Sequence, residues 1–255
     1  MRLTFLGTGT SQGVPVIGCR CEVCRSNDPR DQRLRSSILV EVQGLNVLID
    51  AGPDLRQQML RSGTDHLDAV LLTHEHMDHI AGMDDLRAFS FLHEPPRPVH
   101  VYADRATLDA VRRVFSYAFT GSAYPGIPQF ELHPIDRSAF AIGPVSITPL
   151  EVMHLHLPVL GFRIGGLCYV TDAKTIAPEV RKQMKGCDVL VVNALRRQSH
   201  VSHFNLEEAL ALIAELRPER AFLTHISHWM GRHAEVHLPP GVELARDGLV
   251  VELPG

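Results

Sequence analysis

The sequence predicts a mixed α/β protein in which helices pack outside β-sheets, and three observations carry that expectation. Short runs rich in Val, Leu and Ile recur along the chain, each bounded by Gly, Pro, Asp or Asn, as strands are. Stretches with helical spacing of apolar residues fall between those runs. Strand pairs alternating with single helices are the pattern of a layered α/β architecture.

In chain order, strands are expected over residues 3–6, 37–42, 46–49, 69–72, 99–102, 145–150, 161–164, 167–170, 189–192, 221–223 and 249–251. Helices are expected over 53–62, 105–118, 177–184 and 205–216. The last carries Leu206, Ala209, Leu210, Ile213 and Leu216 as one apolar stripe. Residues 121–129, made largely of Gly, Ser, Tyr and Pro, read as a loop and a candidate lid over the site. No repeat, low-complexity tract or linker divides the chain, so residues 1–255 are expected to form a single domain.

Of the 255 residues, 45% are hydrophobic and 21% charged, enough to bury a substantial core. A formal net charge of −4 offers no general basic surface for nucleic acid, which disfavours a polynucleotide substrate without removing it. The opening apolar run meets Gly7 at once, too short for a signal-peptide core. Nothing approaches the roughly 20 apolar residues of a membrane span. The expectation is a cytoplasmic protein without a membrane partner. There a tight cysteine group points to metal rather than disulfides. Three of the five cysteines, Cys19, Cys21 and Cys24, share one short segment.

The chemistry starts at Thr73-His74-Glu75-His76-Met77-Asp78-His79, directly after an expected strand. His74 and His76 lie two apart and face one side of an extended chain. Asp78 and His79 follow where the chain turns toward a helix and can serve a second point nearby. Imidazoles with a carboxylate suit a borderline divalent ion such as zinc, manganese or iron. A lone histidine would read as a polar loop residue. Four donor-type residues within six positions read as a metal site.

These residues match the H-x-H-x-D-H signature, and the chain resembles the metallo-β-lactamase superfamily along nearly its whole length. The resemblance implies an αββα sandwich with ligands on loops at one edge. By this likeness Asp50, in Leu48-Ile49-Asp50-Ala51-Gly52, supports the metal loop from behind. His74, His76, His154 and Asp172 would hold one metal, and Asp78, His79, Asp172 and His225 the other, with Asp172 bridging. His156 competes with His154; the position of His154 after the strand favours it. Within the superfamily, Leu6-Gly7-Thr8-Gly9-Thr10-Ser11 and Arg35-Ser36-Ser37 resemble the ribonuclease Z-like branch. Gln12-Gly13-Val14-Pro15, the cysteine cluster and Leu223-Thr224-His225-Ile226-Ser227-His228 are similar to the phosphodiesterases of the bacterial carbon–phosphorus lyase pathway, which act on cyclic ribosyl phosphate esters. That likeness also implies a homodimer.

Cys19, Cys21 and Cys24 offer three soft donors that favour zinc, and a closed site needs a fourth. The resemblance assigns the fourth to His228, giving a structural zinc that staples the N-terminal loop to the strand end bearing His225. Cys168 and Cys187, in or beside apolar strands, read as buried inert thiols.

Two divalent ions roughly 3.5–4 Å apart can hold a bridging hydroxide and stabilise charge on phosphoryl oxygens. The expected reaction is in-line attack of that hydroxide on the phosphorus of a small cyclic or nucleotide-like phosphodiester. The candidate catalytic residues are Asp78, within the metal motif, and His203, which matches the family's general acid and protonates the leaving alkoxide. His200 is its rival. Lys174, Arg196 and Arg197 are candidate phosphate contacts, and Ser11 and Gln12 candidate pocket residues. Asp84, Asp85 and Arg87 read as supporting residues of a helix. Competing functions are tRNA 3′-end processing, thioester or lactone hydrolysis, and a metal-stabilised scaffold without turnover. The tRNA reading lacks the protruding basic arm of that class, and the scaffold reading leaves open coordination positions without a purpose.

Overall fold

Among the residues described in this computed structural model, 1–121 and 126–253, the chain forms fourteen strands. Residues 122–125 of the expected loop and lid lie outside the described residues. The first half supplies β1 (Arg2–Gly7), β2 (Ser37–Val42), β3 (Leu45–Ile49), β4 (Ala69–Leu71), β5 (Val99–Ala103) and β6 (Phe130–Pro134). The second half supplies β7 (Phe140–Ile142), β8 (Val145–His154), β9 (Leu157–Ile164), β10 (Leu167–Val170), β11 (Val189–Asn193), β12 (Arg220–Thr224), β13 (Val242–Leu244) and β14 (Val250–Glu252).

They form two seven-stranded sheets, β14-β1-β2-β3-β4-β5-β6 and β13-β12-β11-β10-β9-β8-β7. The first is antiparallel from β14 to β3 and parallel from β3 to β6. The second is parallel from β10 to β13 and antiparallel from β7 to β10. Central strands are apolar on both faces because each sheet is covered twice. Along β3, Val47 and Ile49 enter the core between the sheets, while Leu48 enters the core under the helices. The inter-sheet core also holds Phe5, Phe162, Tyr169 and Phe222. Helices α1 (Leu55–Ser62) and α4 (Arg105–Val114) cover the first sheet through Leu55, Leu108 and Val111. Helices α5 (Pro178–Met184) and α6 (Leu206–Leu216) cover the second through Val180, Ala209, Leu212 and Ile213. The layers are therefore αββα, the expected sandwich.

Helix α6 starts at a capping box. Asn205 accepts the Glu208 amide at 2.9 Å, and the Glu208 carboxylate accepts the Asn205 amide at 2.9 Å. Elsewhere the boundaries differ from expectation. β8 continues past Leu150 to His154, since Val152 stays buried and the pairing with β9 runs to His154–Leu157. α4 stops at Val114, where Phe115 leaves helical geometry (φ −105°, ψ 37°), and 116–119 form a 3₁₀ turn. α1 starts at Leu55, with Pro53 and Asp54 in the preceding turn. Two short helices, α2 (Met77–Ile80) and α3 (Arg87–Phe91), and strands β6, β7 and β13 were not expected. No helix among the described residues is long and apolar enough to cross a membrane.

Candidate metal centre

The C-terminal ends of β3, β4, β8, β10 and β12 share one edge of the sandwich, where open α/β sheets place their sites. Each end delivers one of the expected residues: Asp50, His74, His154, Asp172 and His225. Asp50, Asp172 and His225 all have positive φ (66°, 56° and 55°), a region that non-glycine residues seldom adopt. Each sits where a strand breaks off and its side chain must turn into the cluster. Backbone strain of this kind gathers at functional sites.

Asp50 is fully buried and organises the loop behind the motif. Its carboxylate accepts the amide of Thr73 at 2.8 Å, the Thr73 hydroxyl at 2.9 Å and Nδ1–H of His79 at 2.6 Å. That turns Nε2 of His79 away, toward Asp78 Oδ2 at 3.1 Å and Asp172 Oδ2 at 3.3 Å. Nε2 of His225 lies 3.3 Å from Asp172 Oδ1, while its Nδ1 meets the Ser36 and Thr171 hydroxyls at 3.3 and 3.4 Å. Nε2 of His74 lies 2.9 Å from Nδ1 of His76, and the rings of His76 and His154 are 5.3 Å apart. His154 donates Nδ1–H to the Ser202 carbonyl at 2.8 Å, which leaves its Nε2 free. His156 is exposed in the β8–β9 turn. The structure thus brings His154 to the cluster and leaves His156 outside it.

The donor chemistry fits divalent cations. His79 Nε2 is buried between the Asp78 and Asp172 carboxylates yet makes no well-aligned hydrogen bond to either, an arrangement of donors around a point rather than toward one another. Burial opposes a charge on His79, yet Asp50, Asp172 and Asp78 hold its imidazole well above the ordinary histidine value. Burial also opposes charge on Asp172, but His225 and His79 hold it well below the ordinary carboxylate value. Carboxylates that stabilise positive charge on His79 also favour a cation, while burial keeps His74 and His225 below the ordinary histidine value, the neutral form that ligates a metal.

His203 is buried beside this set, its Nδ1 3.6 Å from Asp172 Oδ1, and that Nδ1 also lacks a partner. Its ring lies 4.4 Å from His154 and 5.0 Å from His225. Burial, helped by His225, pushes its imidazole down to about 3. His200 stands one layer out, 5.1 Å from the ring of His203, and its Nδ1 meets Ser202.

The three cysteines form a second cluster. Their Sγ atoms lie 3.3, 3.3 and 3.4 Å from Nδ1 of His228. Four donors around a tetrahedral zinc would be separated by roughly 3.5 Å, given Zn–S near 2.3 Å and Zn–N near 2.0 Å. The amides of Cys24 and Val16 point at Sγ of Cys21 and Cys24, both at 3.4 Å, as amides do toward thiolates. Ile226 donates to Thr8 and accepts from Thr10, lacing the N-terminal loop to the segment between His225 and His228. Cys168 and Cys187 are buried elsewhere, as expected.

The basic candidates are largely engaged. Lys174 pairs with Glu208 at 2.6 Å, Arg197 donates to the Met230 carbonyl at 3.0 Å, and Arg196 lies over the Trp229 ring at 5.0 Å. Ser11 and Gln12 are exposed. Arg87 pairs with Asp84, in keeping with a supporting role. Sequence reasoning missed the hydroxyls of Thr10, Ser36, Thr73 and Thr171; the only signal was that Thr73 and Thr171 each precede a metal-ligand candidate.

The chain belongs to the beta-lactamase superfamily, whose domain model matches residues 45–226. It has the metallo-β-lactamase fold. A solved diphosphatase from the PhnP family is 38% identical, with 99% of this chain and 98% of that chain covered and a TM-score of 0.93. On that likeness the chain belongs, within the superfamily, to the PhnP family. An octanoyltransferase of Porphyromonas gingivalis is 42% identical over 98% of this chain and 51% of its own length. A ribonuclease Z of Bradyrhizobium diazoefficiens is 32% identical over 55% of this chain and 43% of its own length. The chain therefore spans about half the length of these two curated relatives or less.

Proposed function

We propose that the protein hydrolyses small phosphodiesters, cyclic or nucleotide-like, at two divalent ions, and that a structural zinc braces the site. His74, His76, His154 and Asp172 would hold one ion, and Asp78, His79, Asp172 and His225 the other. Cys19, Cys21, Cys24 and His228 would hold the zinc. When bound, the catalytic pair supplies Lewis acidity and a water-derived nucleophile at neutral pH; zinc, manganese and iron all suit the donors.

One observation carries the phosphoester reading: His203, a buried imidazole with a free Nδ1 beside Asp172. The surrounding ligand set suits hydrolysis in general, whereas an extra imidazole at this point suits protonation of an alkoxide leaving group. Held neutral by burial, His203 gains its proton when an anionic phosphate settles against it and leaves the proton on the departing oxygen. Asp50, Thr73, Ser36 and Thr171 keep the ligand rings oriented. Likeness to a diphosphatase supports chemistry at phosphorus and extends the candidate substrates to phosphoanhydrides.

A second reading, thioester hydrolysis, draws on the name of the octanoyltransferase relative, of which this chain spans 51%. A side-by-side assay of bis-(p-nitrophenyl) phosphate, 2′,3′-cyclic nucleotides, a nucleoside diphosphate ester, an acyl thioester and pre-tRNA tests both. Turnover of the phosphodiesters is expected to dominate; turnover of the thioester alone would overturn the proposal.

A further inference from the structure

Away from the catalytic edge, three more donors meet on the flank of the first sheet. β5 and β6 run parallel with His100 opposite Glu131 and Tyr102 opposite His133. Residues two apart on a strand share a face, so the register gathers His100, Tyr102, Glu131 and His133 on one side of the sheet. Nδ1 of His100 lies 2.9 Å from Nε2 of His133. The carboxylate of Glu131 reaches both, with Oε2 3.5 Å from His100 Nδ1 and Oε1 3.6 Å from His133 Nε2.

We propose that His100, Glu131 and His133 form a further divalent-metal site. Two imidazoles and one carboxylate are a standard set for zinc and for neighbouring ions that accept nitrogen, such as cobalt, nickel and copper. Ligand atoms around a tetrahedral ion at 2.0–2.2 Å are roughly 3.3 Å apart. The two imidazole nitrogens lie 2.9 Å apart, and each has a different oxygen of the Glu131 carboxylate at 3.5 or 3.6 Å, so the three side chains converge on one point with distances on either side of that value. The ring of His133 is also held in place: Tyr102 stacks on it at 4.4 Å and 15°, and Phe140 stacks on Tyr102 at 5.6 Å and 17°. Such stacking fixes a donor before the ion arrives, which lowers the ordering cost of binding. The side chains of His100, Glu131 and His133 remain 44%, 52% and 31% exposed, so an ion can enter from solvent and keep a water in its remaining position. β6 is an edge strand of its sheet, and an ion here would pin it to β5.

The test uses the full chain with its other metal sites already saturated, dialysed to equilibrium against rising buffered free zinc. Wild type is expected to take up one more ion per chain than His100→Asn or His133→Asn, while hydrolysis stays unchanged in all three. Glu131→Gln, on a half-exposed carboxylate, is expected to weaken the extra ion without abolishing it. With copper as probe, the wild-type ion should show paramagnetic-resonance coupling to two imidazole nitrogens, and each histidine variant should lose it. Equal ion counts in wild type and both histidine variants would overturn the proposal, as would an extra ion unaffected by all three substitutions.

Discussion

His79 donates Nδ1–H to Asp50 across 2.6 Å, with both side chains fully buried. This bond sets which ring nitrogen of His79 faces Asp78 and Asp172. Asp50→Asn keeps the shape, tolerates the left-handed backbone and loses the charge. Metal affinity should fall about 10–100-fold, the usual effect of losing a hydrogen-bond partner behind a ligand. Ion content at fixed buffered metal measures it, and undiminished content would show that Asp50 does not orient His79.

Gly52 sits under the same loop, where an added Cβ would lie 2.1 Å from the Asp78 carbonyl oxygen. Gly52→Ala must therefore push α2 and Asp78 outward. A destabilisation on the order of 1–3 kcal/mol is expected from the overpacking. Thermal unfolding of the metal-loaded protein reads it, and an unchanged Tm would contradict the close approach.

His203→Ala should keep both catalytic ions and lower kcat by roughly 10²–10⁴-fold on an alkyl phosphodiester, the range for a lost general acid. On a p-nitrophenyl ester, whose leaving group departs without a proton, the loss should be much smaller. Equal losses on both substrates would assign His203 to binding or support.

Cys21→Ser is expected to lose one zinc per chain and to lower the Tm, because the site joins segments near residues 20 and 228. Prolonged chelation of the wild type should do the same, since an ion bound only by the folded state stabilises it. Full zinc content in the variant would refute the four-donor site.

His233 offers a pH test away from the metal ligands. Its Nδ1 meets the buried Arg33 guanidinium at 3.1 Å, and its amide donates to Asp31. Burial, with Arg33 and Arg30 against Asp28 and Asp31, pushes the imidazole down to about 4. The unfolded chain therefore binds the extra proton first. Stability from neutral His233 is complete above about pH 6.5 and declines as pH falls toward 4. Denaturant midpoints of wild type and His233→Gln should diverge at pH 7 and converge near pH 4; a constant gap would refute the linkage.

The first sheet's central strands and the motif from His74 to His79 were legible because local pattern specifies them. β4 is wholly apolar and β3 is apolar but for Asn46, and four donors within six residues need no partner to stand out. β6, β7 and β13 were not legible. They are edge segments, short or partly polar, and β6 ends in Pro134, so pairing with a neighbour rather than pattern makes them strands. His154 was singled out only through family likeness; its approach to His76 depends on a hairpin that runs past Glu151. The hydroxyls around His225 come from residues 10, 36 and 171, which only tertiary folding brings together. His100 and His133 lie 33 residues apart, and nothing short of the β5–β6 register shows that they meet.

The donors proposed for the catalytic ions divide between the sheets: Asp78, His74, His76 and His79 come from the first, and His154, Asp172 and His225 from the second. A chain emerging from the ribosome thus exposes half a site long before it can make the other half. Until the segment around His225 appears, the early histidines have no opposing aspartate or imidazole to close around an ion. On the proposed ligand set, a product stalled before residue 225 would carry no closed site and is expected to be inactive.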